Sequence, residues 1–180
     1  TFDGVLYNGI FANGGTLEIE ANTFTNLSSL YAIQVGGNSV HFINHGGNTG
    51  NGSISLEFTV NDDTALPGDG LTYVIQRYLE VSPDATLRIL PGAVVKIAPD
   101  AQFIVNGTLV TGIASSTESA VITSLKDDSV GGDTNGDGSA SSPQAGDWRS
   151  IVFNSGSTGN FAHTRITYGG ASPYNYWTGS

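Results

Sequence analysis

The 180-residue chain has no cysteine and no methionine, and only six Lys/Arg stand against sixteen Asp/Glu, a formal net charge of -10. Without cysteine there is no disulfide framework, no thiolate zinc site and no thiol nucleophile. So acidic a chain repels phosphates, which excludes nucleic acid as an expected partner and electrostatic docking on an anionic membrane. No apolar run approaches the roughly 18 residues of a membrane span, so direct membrane insertion is not expected either. Thr1 does not open a signal peptide, and the chain reads as a processed product or an excised piece. Charged residues make up only 12% of the chain, too few for long solvated helices, and no stripe of period 3.6 runs through it.

What is abundant is glycine, 25 residues of it, set among short apolar pieces. Internal similarity at the start has a period in the low twenties. Thr1-Phe2 recurs as Thr23-Phe24, Gly14-Gly15 as Gly36-Gly37, and the pair Leu17/Ile19 as Val40/Phe42. That period is too short for a helical hairpin and matches one coil of a β-solenoid. Strand-like runs follow at 72–75, 79–81, 86–90, 93–97, 102–105, 108–110, 120–123, 148–153 and 161–168. In Leu87-Arg88-Ile89 and Val95-Lys96-Ile97 the aliphatic residues are expected inward, with Arg88 and Lys96 in water. Connectors such as Ser82-Pro83-Asp84-Ala85 and Val105-Asn106-Gly107-Thr108 have turn chemistry. Strands this brief suit stacked coils, where each pairs with its equivalents above and below, better than isolated hairpins. A jelly roll or Greek-key sandwich is the competing architecture.

Charge is uneven. Residues 1–76 hold seven acids and no Lys or Arg, whereas the remainder holds nine acids and all six bases. The change falls at the turn-rich stretch 61–70. The expected organisation is one β-helix domain over 1–180: N-terminal coils 1–60, a loop or junction at 61–70, main coils 71–170 and a tail 171–180.

Oxygen chemistry is concentrated between 127 and 139. Asp133-Thr134-Asn135-Gly136-Asp137-Gly138 fits D-x-N-x-D-G, in which oxygen ligands at alternate positions precede a glycine turn and let a short peptide wrap a hard cation. Calcium is the expected cofactor. The loop departs from an EF-hand: Gln144 stands where a bidentate Glu would, and no helical pattern flanks it. Asp127, Asp128 or Asp147 would therefore complete a shell begun by Asp133, Asn135 and Asp137, with the Ser139 carbonyl as the mid-loop ligand. A solvated acidic turn is the plainer alternative, although unneutralised carboxylates at this density repel one another.

Other constellations carry less chemistry. Asp62/Asp63 and Asp127/Asp128 are adjacent pairs in loops, and neighbouring strand positions point to opposite faces. His41 and His45 have a metal spacing only on a helix, and His163 and Arg165 read as solvated outer-face residues. Tyr168, Tyr174, Tyr176 and Trp177 could stack on sugar rings but suit the cover of an open hydrophobic end better. Glycosylation sequons begin at Asn26, Asn51 and Asn106.

The segments LRILPGAVVKIAPDAQFIVNGTLVTG, ITSLKDDSVGGDTNGDG and GDWRSIVFNSGSTGNFAHTRITYGG, within residues 71–170, resemble bacterial secreted and cell-surface proteins built of right-handed parallel β-helix repeats. The resemblance implies that fold, an extracellular or cell-surface setting and a long loop bulging from one coil. It implies no defined activity, since such proteins include adhesins, stalks and modules of polysaccharide enzymes. The expectation is an all-β, right-handed parallel β-helix with a calcium-binding loop, non-catalytic and structural or adhesive. Its partners would be a polysaccharide or another surface protein, and its uncapped ends would stack on adjacent β-helix segments or on a neighbouring chain. A polysaccharide-binding module, or a fragment of a polysaccharide-active enzyme, is the alternative.

Overall fold

The computed structural model describes residues 1–27, 30–50 and 52–171. Its N-terminal part carries β1 (Phe2–Asp3), β2 (Ile10–Ala12), β3 (Gly15–Glu20), β4 (Thr23–Thr25), β5 (Ile33–Gly37), β6 (Val40–Gly46), β7 (Thr49–Gly50) and β8 (Ser53–Val60). Then come β9 (Thr64–Leu66), β10 (Thr72–Ile75), β11 (Tyr78–Val81), β12 (Thr86–Ile89), β13 (Val94–Ile97), β14 (Gln102–Val105), β15 (Thr108–Thr111) and β16 (Ala120–Ser124). After a long insertion the chain resumes with β17 (Ile151–Phe153), β18 (Thr158–Phe161) and β19 (Thr164–Ile166). The described residues are all-β with no helix, and hence no helix long and apolar enough to cross a membrane.

Every strand pairing is parallel, and the strands stack as a β-solenoid. One face runs β2-β5-β8-β10-β13-β16-β19. A second stacks β11, β14 and β17 on the end of β8, and a third runs β9-β12-β15-β18. The sandwich alternative is thereby set aside. Period-two patterning explains the register: one inward position per coil lines up along the axis as Ile10, Ile33, Ile54, Tyr73, Val95, Ile122 and Ile166. The second face contributes Val60, Val81, Val105 and Phe153. The third contributes Leu66, Ile89, Thr111 and Phe161. Each fully buried aliphatic or aromatic side chain is worth about 1.5–3 kcal/mol, and in a solenoid that gain accumulates coil upon coil.

The stretch 61–70, expected as loop or junction, contains β9, which pairs with β12 and belongs to the same stack. Asn ladders reinforce the turns, as where Asn154 Nδ2 donates to Asn106 Oδ1 (2.7 Å) and Asn106 Nδ2 to Glu80 Oε1 (2.7 Å). Arg88 is exposed, as its strand pattern predicts, but Lys96 is completely buried. The cause is the insertion: 44 residues separate Ile122 from its register partner Ile166, against 22 from Tyr73 to Val95. The extra length, about one coil, forms a strap (125–147) folded back over the outside of the first face. Tyr174, Tyr176, Trp177 and Asn51 lie outside the described residues.

A candidate metal centre in the strap

The strap is closed at its neck. Lys126 Nζ lies 2.9 Å from Asp147 Oδ1, while Ser124 Oγ and the Gln144 amide donate to Asp147 Oδ2 at 2.8 and 2.9 Å. Burial disfavours the Asp147 anion, but the bond from Lys126 and those from Gln144 and Ser124 outweigh it and hold its pKa below the ordinary value. Next door, Asp127 is buried: Oδ2 accepts from the Thr123 hydroxyl (2.7 Å), and Oδ1 accepts from the Ser129 hydroxyl and amide. Burial again opposes its charge, and the Ser129 and Thr123 bonds, with Lys96 nearby, overcome that and lower its pKa. Asp127 and Asp147 were both candidates to complete a cation shell. Oδ2 of each accepts from a β16 hydroxyl, that of Thr123 or Ser124, and Oδ1 of each accepts from a strap residue, Ser129 or Lys126.

From Asp127 the strap runs back across β13 and β10. Lys96 Nζ donates to the Gly132 carbonyl and Thr72 Oγ1 to the Gly131 carbonyl (3.0 Å). Gly131 has φ +67°, and a Cβ there would come within 2.4 Å of Thr72 Oγ1, so only glycine lets the strap lie this close. Burial depresses the Lys96 pKa, and the charges of Asp128, Asp127 and Asp133 partly restore it. Lys96 is the site residue that strand alternation misplaced. The one sequence signal for it was the length of the insertion, sufficient to cover a neighbouring strand.

At the tip, carboxylate oxygens of Asp128, Asp133 and Asp137 lie within 4.8 Å of one another. Asp133 organises the turn: Oδ1 accepts from the Gly136 amide (2.7 Å) and the Asp137 amide (3.2 Å), and Oδ2 from the Gly138 amide (2.8 Å). Asp137 Oδ2 accepts from the Ser141 hydroxyl and from Asn135 Nδ2 (2.8 Å), so its pKa falls, with Ser141 the main cause. Asn135 thus turns its amide nitrogen to Asp137, and its Oδ1 accepts weakly from the Asp137 amide (3.4 Å). Ser139 is exposed.

Asp128 differs from its neighbours. Its Oδ1 is buried and has no hydrogen-bond partner, as has the hydroxyl of Thr134, a residue 6% exposed. Burial first, then the Asp133, Asp137 and Asp127 charges, raise the Asp128 pKa, with Lys96 acting in opposition. The donor set is all hard oxygen. Two oxygens bound to one Ca²⁺ at about 2.4 Å can stand at most about 4.8 Å apart, and the three carboxylates meet that limit.

Between the strap tip and the early coils lies a cleft of about 560 Å³, lined by residues including Leu30, Gly52, Ser53, Asp133 and Thr134. The remaining candidates are engaged elsewhere. Asp62 accepts from His41 Nδ1, Asp63 accepts from the Thr86 amide (3.1 Å), and His45 Nε2 lies 3.5 Å from Glu18. His163 is an exposed turn residue with φ 48°. Comparison with protein-family models, with curated proteins and with solved structures finds no match.

Proposed function

We propose that this chain is a non-catalytic, extracellular or cell-surface β-helix module of right-handed sense, structural or adhesive, whose strap is locked by one calcium ion. The observation that carries the calcium reading is the buried, unpartnered Oδ1 of Asp128 beside two further carboxylates. Leaving a buried charged oxygen unpaired costs free energy that a cation recovers. Asp128, Asp133 and Asp137 would hold the ion, which supplies charge neutralisation and no chemistry of its own. The protein's own groups do the rest: Asp133 shapes the tip, Lys96 of β13 and Thr72 of β10 hold the middle, and Asp147 closes the neck. A rigid rod with an ordered lateral strap suits a spacer or a display surface.

The test is calcium titration followed by calorimetry and limited proteolysis. The reading requires saturable binding of one ion per chain and protection of 127–139 from cleavage. Thermal stability and cleavage indifferent to chelator would remove it. A second reading, saccharide recognition, has the cleft beside the acidic tip in its favour. Calcium-dependent retention on a panel of plant and bacterial polysaccharides would support it, since a spacer retains none.

A further inference from the structure

Among the described residues only two buried side-chain polar atoms lack a hydrogen-bond partner, Asp128 Oδ1 and Thr134 Oγ1, and both lie in the strap. Buried polar groups are nearly always paired, so two orphans in one short loop point to a common cause. Asp128 belongs to the trio of carboxylates at the tip, and Thr134 directly follows Asp133, another of the three. The turn does not use the Thr134 hydroxyl. Asp133 spends its oxygens on the amides of Gly136, Asp137 and Gly138, and Asp137 Oδ2 accepts from Ser141 and Asn135. The spacing D-x-N-x-D-G gives ligands at 133, 135 and 137 and leaves Thr134 outside. The side chains are arranged otherwise. Thr134 is the buried one, while Asn135 directs its Nδ2 to Asp137 Oδ2 (2.8 Å) and Ser141 Oγ (3.2 Å).

We infer that the Thr134 hydroxyl oxygen is a further protein ligand to the calcium ion, beside Asp128, Asp133 and Asp137. The inference rests on the calcium reading proposed above and adds to it a ligand that the motif does not contain. Neither orphaned oxygen is open to water. Calcium meets an oxygen at about 2.4 Å, closer than the about 2.8 Å at which a water does, so an ion fits where a water does not. Ca²⁺ takes about six to eight oxygens, more than three carboxylates supply while Asp133 and Asp137 also hold the turn. A hydroxyl is hard, like its neighbours, and neutral. It adds coordination without a fourth negative charge among carboxylates that already repel one another. Coordination also removes the cost of burying that hydroxyl unpaired.

The experiment compares the full chain with Thr134→Val, which keeps the shape and removes the hydroxyl, and with Thr134→Ser, which keeps the hydroxyl. Isothermal titration calorimetry gives calcium affinity, and scanning calorimetry in chelator gives stability without metal. Terbium, a luminescent stand-in for calcium, reports through its lifetimes in H₂O and D₂O how many waters the bound ion retains. Thr134→Val is expected to lower calcium affinity by about tenfold or more and to add a coordinated water to bound terbium. In chelator it should unfold at or above the wild-type temperature, because it deletes an unpartnered buried hydroxyl. Thr134→Ser should recover both the affinity and the water count. A wild-type chain that binds calcium while Thr134→Val matches its affinity and water count would overturn this inference and leave the calcium reading standing. A Thr134→Val chain that is less stable in chelator, with an unchanged water count, would overturn it as well and make the hydroxyl structural. A wild-type chain that binds no calcium would end both readings.

Discussion

Replacing Asp128 by Asn separates a cation ligand from an ordinary structural aspartate, because the two roles predict opposite signs in the absence of metal. The three carboxylate oxygens lie within 4.8 Å of one another. At that separation a like-charge pair costs about 1 kcal/mol in water and about 3.5 kcal/mol at an effective dielectric of about 20. Asp128 takes part in two such pairs, and its raised pKa has burial and this repulsion as causes. The substitution removes both repulsions together with the opposing attraction of Lys96, leaving a net gain of about 1 kcal/mol in chelator. For a chain of this size that raises Tm by about 2–4 °C. Calcium at about a hundred times its Kd should stabilise the wild-type protein by about 2.7 kcal/mol, or about 5–10 °C. The variant should lose nearly all of that response. Differential scanning calorimetry of both proteins, in chelator and in calcium, should therefore show Tm values that change order between the two conditions. An equal fall in the variant's Tm under both conditions would refute the reasoning and make Asp128 a structural residue.

Three further outcomes are expected. Lys96→Met removes the donor to the Gly132 carbonyl; losing a charged hydrogen bond costs about 1.5–3 kcal/mol, seen as a lower Tm and faster proteolysis within 127–147. Gly112→Ala should destabilise by about 2–4 kcal/mol in urea unfolding, because its Cβ would come within 1.8 Å of the Ala162 carbonyl at φ +65°; Gly132→Ala, with φ +73° but open space around the Cβ, should cost only about 1–2 kcal/mol. Acid should release the strap neck. The folded pKa of Asp147 lies below its reference value of 3.8, so its stabilising contribution is complete above that value and is lost as pH falls through the depressed one. Asp147→Asn should abolish that acid-dependent step in protease sensitivity while lowering stability at neutral pH.

Several strands of the main coils were legible because alternation is local: Thr72–Ile75 and Gln102–Val105 have the bounds their patterns predict. Thr64–Leu66 was hidden, since three residues amid turn formers declare a strand only when Leu87–Ile89 lies alongside. The run expected at 148–153 begins as strand only at Ile151, with Trp148 buried and its Nε1 donating to the Thr167 carbonyl (2.8 Å). The acidic tip was legible from spacing as far as Asp133 and Asp137. Which neighbouring carboxylates join them was not. That choice depends on hydroxyls of β16: Thr123 takes Asp127 and Ser124 takes Asp147, while Asp128 Oδ1 is left without a partner. Lys96 was misplaced for a related reason: alternation reports which face a side chain takes, not whether another segment covers that face.

The strap also changes how the stack holds together. In a solenoid each coil touches only its neighbours, so stability is a sum of local terms and the ends can fray. This strap is rooted after β16, lies over β13 and β10 through Lys96 and Thr72, and closes near the early coils, where a Cβ on Gly136 would come within 2.5 Å of a Leu30 methyl. It therefore links coils that do not otherwise touch, across about 19 Å at the strand spacing of about 4.8 Å. Closing so long a loop is entropically costly, and three crowded carboxylates at its tip oppose the closure further. The backbone amides donated to Asp133 and the buried ammonium of Lys96 offset part of that cost, and a bound cation would offset the remainder. If the tip takes up a cation as proposed, whether distant coils unfold together or one by one would depend on its occupancy, and Asp128→Asn would leave the coils unfolding one by one with or without calcium.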